Sequence, residues 1–373
     1  MNILYIANDS GLYGANRSLI DMILEIQKKG HNAYVLTWNH SIFTRELRAL
    51  GIPYFVIPYK ACAIPEHQKK TRYFLYNIQL LPKAAAILKE CRIQLIHSNA
   101  SNIDFGAMLS LYYRLPHIWH IRELLYEDYK LVYEHPACMR YFFKRAARVI
   151  MISEYVRNFR AIQNKGIETV YNGLNVERYW NNRELTLKKE EIKLLFAGSI
   201  WKEKGIMDAL EVTEFLVKKM KRQVLLKIAG SGMEYLEEVL ERVRQKGIAG
   251  NVQYVGEQKD LRPLRAWADI ALMCSRSEAL GRVTIESMMA NVLVAGADVG
   301  ATKELIRHGE NGYLYEAGNI TQLADIICKI YEEPEKNREI SRRAQKEAAE
   351  KYASDTYAQK MITIYRQTID KEM

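Results

Sequence analysis

Short apolar runs recur along the chain, separated by stretches whose apolar positions return every three or four residues. In the first half the runs are NILYIA (2–7), NAYVLTW (32–38), PYFVIP (53–58), QLIHSN (94–99), HIWHI (117–121), RVIMIS (148–153) and ETVYN (168–172). Between the first two, Leu19, Ile20, Ile23 and Ile26 share one helical face that Gly30 closes. The alternation restarts with IKLLFAG (192–198), QVLLKIAG (223–230), NVQYVG (251–256), DIALMC (269–274) and NVLVAGAD (291–298). Strands that are apolar on both faces and separated by helices predict parallel sheets, covered by helices and joined by right-handed crossovers. Two such series predict two doubly wound domains, over residues 1–172 and 192–352.

The stretch NGLNVERYWNNRELTLKKEE (172–191) has turn chemistry and no apolar period, which predicts a linker over 173–191. The end of the chain reads as amphipathic helix, with Tyr352, Tyr357, Met361 and Tyr365 spaced by four or five. Its last piece, 353–373, is expected to be a C-terminal helix that packs on either domain, crossing back to the first in one arrangement. No internal repeat or low-complexity tract interrupts this order.

A length of 373 residues exceeds one ordinary core, in keeping with two domains. No uninterrupted apolar stretch is long enough to span a bilayer. The opening MNILYIANDSGLYGA lacks a basic region followed by a long apolar one, so no secretory signal is expected. The five cysteines are scattered without a CxxC pair, so reduced thiols and a cytoplasmic location are expected. Charge is uneven: residues 1–180 carry 23 Lys and Arg against 14 Asp and Glu, leaving 31 against 30 in the remainder. The first half is therefore expected to attract an anionic partner such as a phosphorylated acceptor, an anionic membrane surface or nucleic acid, unless the bias only solubilises the surface.

Open parallel sheets bind ligands beyond the carboxyl ends of their strands, so the expected site is a cleft between the two domains. After DIALMC comes SRSEALGRVTIESMMA, in which Gly281 precedes a helix opening at Arg282, Val283, Thr284 and Ile285. The N–H groups and positive dipole end of such a helix favour an anion, and a preceding glycine admits a phosphate to the backbone. Glu278 lies before the helix and Glu286 in its second turn. An ionised carboxylate accepts two hydrogen bonds at once and suits sugar hydroxyls. One glutamate on each side of a diphosphate is the arrangement this spacing suggests; two solvent-facing helix glutamates are the plainer alternative.

This segment resembles the E-x7-E signature of retaining family 4 glycosyltransferases, whose fold is GT-B: two doubly wound Rossmann-like domains facing across a cleft. LYGANRSL (12–19) resembles the family's N-terminal glycine loop and WHIRE (119–123) its strand-end histidine segment. VYNGLN (170–175), FAGSIWKEKG (196–205), VQYVGEQKDL (252–261), WADIALMCS (267–275) and GATKELIRHGENGYLY (300–315) resemble further blocks, in the family's order. The resemblance implies a retaining transfer from a nucleotide-sugar co-substrate, with no other cofactor, to a glycan or lipid-linked glycan in polysaccharide or cell-envelope synthesis. It implies that Glu286 binds the ribose hydroxyls, Glu278 the transferred sugar, and Lys204 the diphosphate. His120 would contact the sugar near the developing charge at its anomeric carbon. The implied donor-binding set is Gly14, Ser199, Lys204, Gly256, Glu257, Leu280, Gly281, Arg282, Val283 and Glu286. On this basis Glu286→Ala is expected to weaken nucleotide binding and leave the fold intact.

No DxD-like or His/Asp cluster suggests a metal, and fixed donors aimed at the departing diphosphate would stabilise its charge instead. The family usually has arginine where this chain has Ser199, and Lys202 or Arg282 is expected to stand in for that phosphate clamp. Segment 138–150, CMRYFFKRAARVI, interleaves basic and aromatic residues and reads either as a membrane-surface helix or as an ordinary helix burying its aromatics. His97, in LIHSN, is a lesser candidate. Alternative readings are a GT-B sugar-nucleotide epimerase or phosphorylase, and a non-catalytic protein binding anionic membrane or nucleic acid. No nucleic-acid-reading motif is present, SGLYGANRS is not the dinucleotide fingerprint, and a paired-carboxylate hydrolase fits poorly with a glycine and helix start between the two acids.

Overall fold

The computed structural model describes residues 1–8, 11–12, 14–68, 72–188 and 191–372. The chain divides into two compact units, Met1–Leu174 with Ser354–Met373, and Asn175–Ala353. The first contains β1 (Asn2–Ile6), β2 (Asn32–Thr37), β3 (Tyr54–Val56), β4 (Ala63–Pro65), β5 (Leu95–Ser98), β6 (His117–Ile121), β7 (Leu131–Tyr133), β8 (Arg148–Met151) and β9 (Ile167–Thr169). Seven of these form one sheet in the order β3-β2-β1-β5-β6-β8-β9, and every pairing in it is parallel. The pair β4 and β7 forms a separate antiparallel ribbon, which lacks the long apolar runs that mark the main strands.

Ile3 to Ile6 of β1 are fully buried, as a strand covered on both faces must be. The helix Gly14–Lys28 lays Leu19, Ile23 and Ile26 on one face of the sheet. Beside them lie Tyr357, Met361 and Tyr365 from the helix Ser354–Glu372. The amphipathic end of the chain forms two helices, Pro334–Lys351 and Ser354–Glu372. The first belongs to the second unit and the last to the first unit, where the Ser354 N–H donates to the Leu174 carbonyl at 2.8 Å.

The second unit contains β10 (Ile192–Ala197), β11 (Val224–Ala229), β12 (Val252–Gly256), β13 (Ile270–Met273), β14 (Leu293–Ala297) and β15 (Tyr313–Tyr315). Its parallel sheet runs β12-β11-β10-β13-β14-β15. Leu194, Phe196, Leu226, Ile228, Ile270 and Leu272 pack there against Leu323 and Ile327 of the helix Ile320–Glu332. Of the segment expected as a linker, 189 and 190 lie outside the described residues. Its Leu185 and Leu187 are buried in the second unit's core, and Val176–Tyr179 is a short helix.

The strand order reverses between β1 and β5 in the first unit and between β10 and β13 in the second. Chains leaving two such strands run in opposite directions over the sheet and open a crevice at its carboxyl edge. The helix Pro136–Arg145 settles one choice left open by the sequence. Phe142 and Phe143 are buried, with Phe143 4.4 Å from Trp119 between ring centroids. Only Tyr141 of its three aromatics is exposed, so this helix buries its aromatics in the domain.

Candidate functional site

The second unit's crevice is built from the segments that follow β10 and β13. After β10 the chain makes a short turn, Lys202–Lys204, passes Gly205, and enters the helix Ile206–Lys218. After β13 it runs from Cys274 to Gly281 and enters the helix Arg282–Met289. The two loops are locked together, because the Arg276 N–H donates to the Glu203 carbonyl at 2.7 Å. Gly205 has φ +69, and a Cβ there would lie 1.8 Å from the Cys274 carbonyl oxygen. Only glycine permits that approach without moving a loop.

This clamp sets two of the expected site residues side by side. The Lys204 ammonium donates to Glu278 Oε2 at 3.0 Å, and Ser275 Oγ donates to the same oxygen at 3.2 Å. The backbone of Glu278 is pinned as well, since the Ala301 N–H donates to its carbonyl at 2.9 Å. Three residues on, Gly281 takes up φ 89, and no side chain caps the helix it opens. Leu280 is buried at this turn, and Val283 lies half-buried in the helix's first turn. A cation, a carboxylate and an uncapped helix start therefore share one loop system at the carboxyl edge of the sheet.

Glu286, one turn further, is 6% exposed. Arg265 donates to its Oε2, and Arg282 Nε donates to its Oε1 at 2.7 Å. Burial alone would raise this carboxyl's pKa; Arg265 and Arg282 outweigh it and hold the group below the ordinary carboxylate value. The Tyr179 ring centroid lies 5.6 Å from the Arg265 guanidinium and 5.9 Å from that of Arg282. Arg282 Nη2 also donates to the Tyr179 hydroxyl at 3.1 Å. Arg282, one of the two residues expected to stand in for the missing arginine at 199, is thus turned to Glu286 and Tyr179. Lys202 is exposed. Removing the Glu286 carboxylate would strip the buried Arg265 guanidinium of its counter-ion, which revises the expectation that Glu286→Ala leaves the fold intact.

Ser199 lies half-buried just past β10, and its carbonyl accepts from the Trp201 N–H at 3.1 Å. Gly256 ends β12 at φ +75, and its carbonyl accepts from the Gly230 N–H at 3.0 Å; Glu257 beyond it is exposed. These residues share the carboxyl edge, but Gly256 and Glu257 lie at the end of a strand two places from β10. Sequence reasoning missed Arg265 and Tyr179. The available signal was a lone charge among Leu264, Trp267 and Ala268 in LRPLRAWAD, which reads as an ordinary surface arginine until its burial is seen.

The other two expected residues belong to the first unit. Gly14 begins its first helix, and a Cβ there would meet nothing within 4 Å. His120 has no exposed surface and lies between His97, 5.4 Å away, and Tyr357, 6.4 Å away, by ring centroids. Burial, with the Arg122 charge and His97, holds it well below the usual imidazole pKa, so it is neutral. Contact with a sugar would require its cover, the helix Ser354–Glu372, to move. His97 is equally enclosed, with Nδ1 2.8 Å from the Tyr365 hydroxyl. Arg122 is a staple: it donates to Asn99 Oδ1 at 2.8 Å, to Asn172, and to the Tyr357 hydroxyl at 3.2 Å.

Among the described residues no group of three or more His, Cys, Asp or Glu could hold a metal ion, and no helix is long and apolar enough to cross a membrane. Two doubly wound parallel units, one presenting an uncapped helix start between two carboxylates, define a protein of the GT-B fold class. The family model described as Glycosyltransferase Family 4 matches residues 13–178, and that described as Glycosyl transferases group 1 matches residues 180–347. The chain belongs to the family 4 glycosyltransferases. It is 32% identical over 209 residues to N-acetyl-alpha-D-glucosaminyl L-malate synthase of Bacillus anthracis, a match spanning 54% of each chain. It is 25% identical over 317 residues to an uncharacterized glycosyltransferase of Methanocaldococcus jannaschii, covering 82% of this chain and 84% of that one. Anabaena HepE, solved in complex with UDP, superposes with a TM-score of 0.83 at 22% identity, covering 98% of this chain and all of HepE.

Proposed function

We propose that the chain is a retaining, metal-independent glycosyltransferase that moves a sugar from a nucleotide-sugar donor to a glycan or lipid-linked glycan acceptor. The observation that carries this reading is the Lys204–Glu278 pair beside the uncapped helix start at Gly281, with Glu286 one turn beyond. The diphosphate lies against the first turn of Arg282–Met289, where N–H groups and the helix dipole favour negative charge. Lys204 shares its charge between Glu278 and the phosphate, leaving Glu278 able to accept hydroxyls of the transferred sugar. Glu286 accepts the ribose hydroxyls. In the reaction the anomeric carbon–oxygen bond to the diphosphate breaks while the acceptor oxygen bonds to the same face. The acceptor proton passes to the departing phosphate. Charge accumulating on the leaving group meets donors already in place, and this preorganisation lowers the barrier.

The acceptor side is read from the first unit's surface. The helix Tyr73–Leu80 exposes Leu75 and Ile78, and the helix Phe105–Tyr113 exposes Leu111 and Tyr112. With the basic excess of residues 1–180 these suit the inner face of a cell membrane, where a lipid-linked acceptor resides. Such a surface predicts sedimentation with anionic vesicles that weakens as salt is raised.

A thermal-shift panel of UDP, GDP, ADP, dTDP and their sugars tests the donor reading, because a ligand of the folded state raises its melting point by mass action. At least one diphosphate and its sugar should stabilise the chain, and the product's anomeric proton coupling should match that of the donor. Conversion of the donor with no acceptor present would instead make the chain an epimerase, and no response to any nucleotide would remove the donor site.

A further inference from the structure

Arg265 and Glu286 form a buried ion pair that the reaction does not need as a source of charge. Arg265 is 1% exposed, so it cannot touch a ligand, and its Nε has no partner among the described residues. Burying a guanidinium with an unmatched donor is costly, and apolar residues of similar volume are often as stable in such a place or more so. Stability therefore gives no reason for an arginine here. The pair does determine where the Glu286 carboxylate lies. Arg265 occupies one lone-pair position on Oε2 and Arg282 one on Oε1. A carboxylate has about four such positions, so one remains on each oxygen. Two acceptors side by side match two vicinal hydroxyls.

We propose that Arg265 is a positioning residue for donor recognition: with Arg282 it fixes the Glu286 carboxylate so that its two remaining lone pairs read the vicinal 2′- and 3′-hydroxyls of the donor's ribose. This rests on the donor-site reading above. Arg265 orients the carboxylate from beneath, and Tyr179 closes the clamp by facing both guanidiniums. The segment Val176–Tyr179 thereby becomes part of the nucleotide-reading apparatus without itself meeting the nucleotide.

Calorimetric titration of UDP and GDP, each beside its 2′,3′-dideoxy form, into the full-length protein and the Arg265→Met and Arg265→Lys variants tests this. The wild type should bind one ribonucleotide at least about tenfold more tightly than its dideoxy form, the weight of hydrogen bonds to a charged acceptor. In Arg265→Met that ratio should fall towards one through weaker ribonucleotide binding, with dideoxynucleotide affinity unchanged. Arg265→Lys, which keeps the charge and loses the planar fork, should restore part of the ratio. It supplies the same reading if the methionine variant does not fold. A merely structural arginine would weaken both nucleotides alike or neither, so a folded variant with the wild-type ratio overturns the inference and leaves the donor site standing. A wild type indifferent to ribose hydroxyls would remove the role of Glu286 itself, and the inference with it.

Discussion

Truncation of Glu286 to alanine removes the carboxylate that, among the described residues, is bonded to both Arg265 and Arg282, and leaves Arg265 without its counter-ion. Arg265 is 1% exposed and the Arg282 side chain 10%, so Arg265 gains no water in place of the lost carboxylate without moving its helix. Breaking a buried pair by deleting one partner costs about 3–5 kcal/mol. In a unit of this size, where 1 kcal/mol shifts Tm by about 2–4 °C, the melting point should fall by roughly 6–20 °C. Adding Arg265→Met should recover part of this, with a coupling of about 1–3 kcal/mol in a double-mutant cycle. The pH dependence has a definite sign. The folded carboxyl is held below its unfolded value, so its contribution is complete above the ordinary carboxylate pKa and is lost as pH falls through the depressed folded value. Calorimetric melts at pH 7 and under acid conditions provide the test. A variant melting within about 1 °C of wild type at pH 7 would refute the clamp, since a buried Arg265 guanidinium stripped of its carboxylate could not be that inexpensive.

Gly205→Ala should destabilise the second unit by about 2 kcal/mol or more, because alanine resists φ +69 and its Cβ must push the Cys274 carbonyl away; urea unfolding measures this, and Gly250→Ala, whose Cβ meets nothing within 4 Å, serves as the control. Gly14→Ala should fold at least as well as wild type, alanine being the better helix former by about 1 kcal/mol. If transfer activity nevertheless drops in Gly14→Ala, a substrate approaches that backbone; unchanged kinetics would take Gly14 out of the site. Asp104 is buried in the first unit, and burial lifts its carboxyl to about 7 although the Tyr73 hydroxyl donates to it. An acid whose folded pKa is raised stabilises the fold below its unfolded pKa and loses that stabilisation as pH rises through 7. Asp104→Asn should therefore flatten the stability profile between about pH 4 and 7, a swing on the order of 4 kcal/mol, and an unaltered profile would exclude it.

Much of the fold is legible in the chain because strands covered on both faces must be apolar throughout. HIWHI begins and ends where its strand does, ten of the other eleven runs contain their strands with one to three residues to spare, and ETVYN starts one residue late. What the pattern missed lacks such a run: the ribbon β4 and β7, and the short edge strand β15, whose Tyr313 and Leu314 are only partly buried. At the site, the placing of Glu278, Lys204 and Gly281 on the loops after β10 and β13 was legible from the order of apolar runs. The burial of His120 was not, because a histidine near a strand end looks the same whether it faces a ligand or a covering helix. The Ser354–Glu372 helix that covers it arrives from more than 200 residues away. Arg265 shows the opposite failing: its burial follows from the acid it meets 21 positions later, and no local pattern carries that contact.

The most direct test of the central claim is a calorimetric titration of UDP, GDP and their nucleosides into wild type and Lys204→Met. Lys204 is partly exposed, so the substitution leaves the core untouched while removing the cation beside Glu278. The account predicts that a nucleoside diphosphate binds the wild type and binds Lys204→Met at least about tenfold more weakly, with nucleoside affinity unchanged. Equal diphosphate affinity in the two proteins would contradict it.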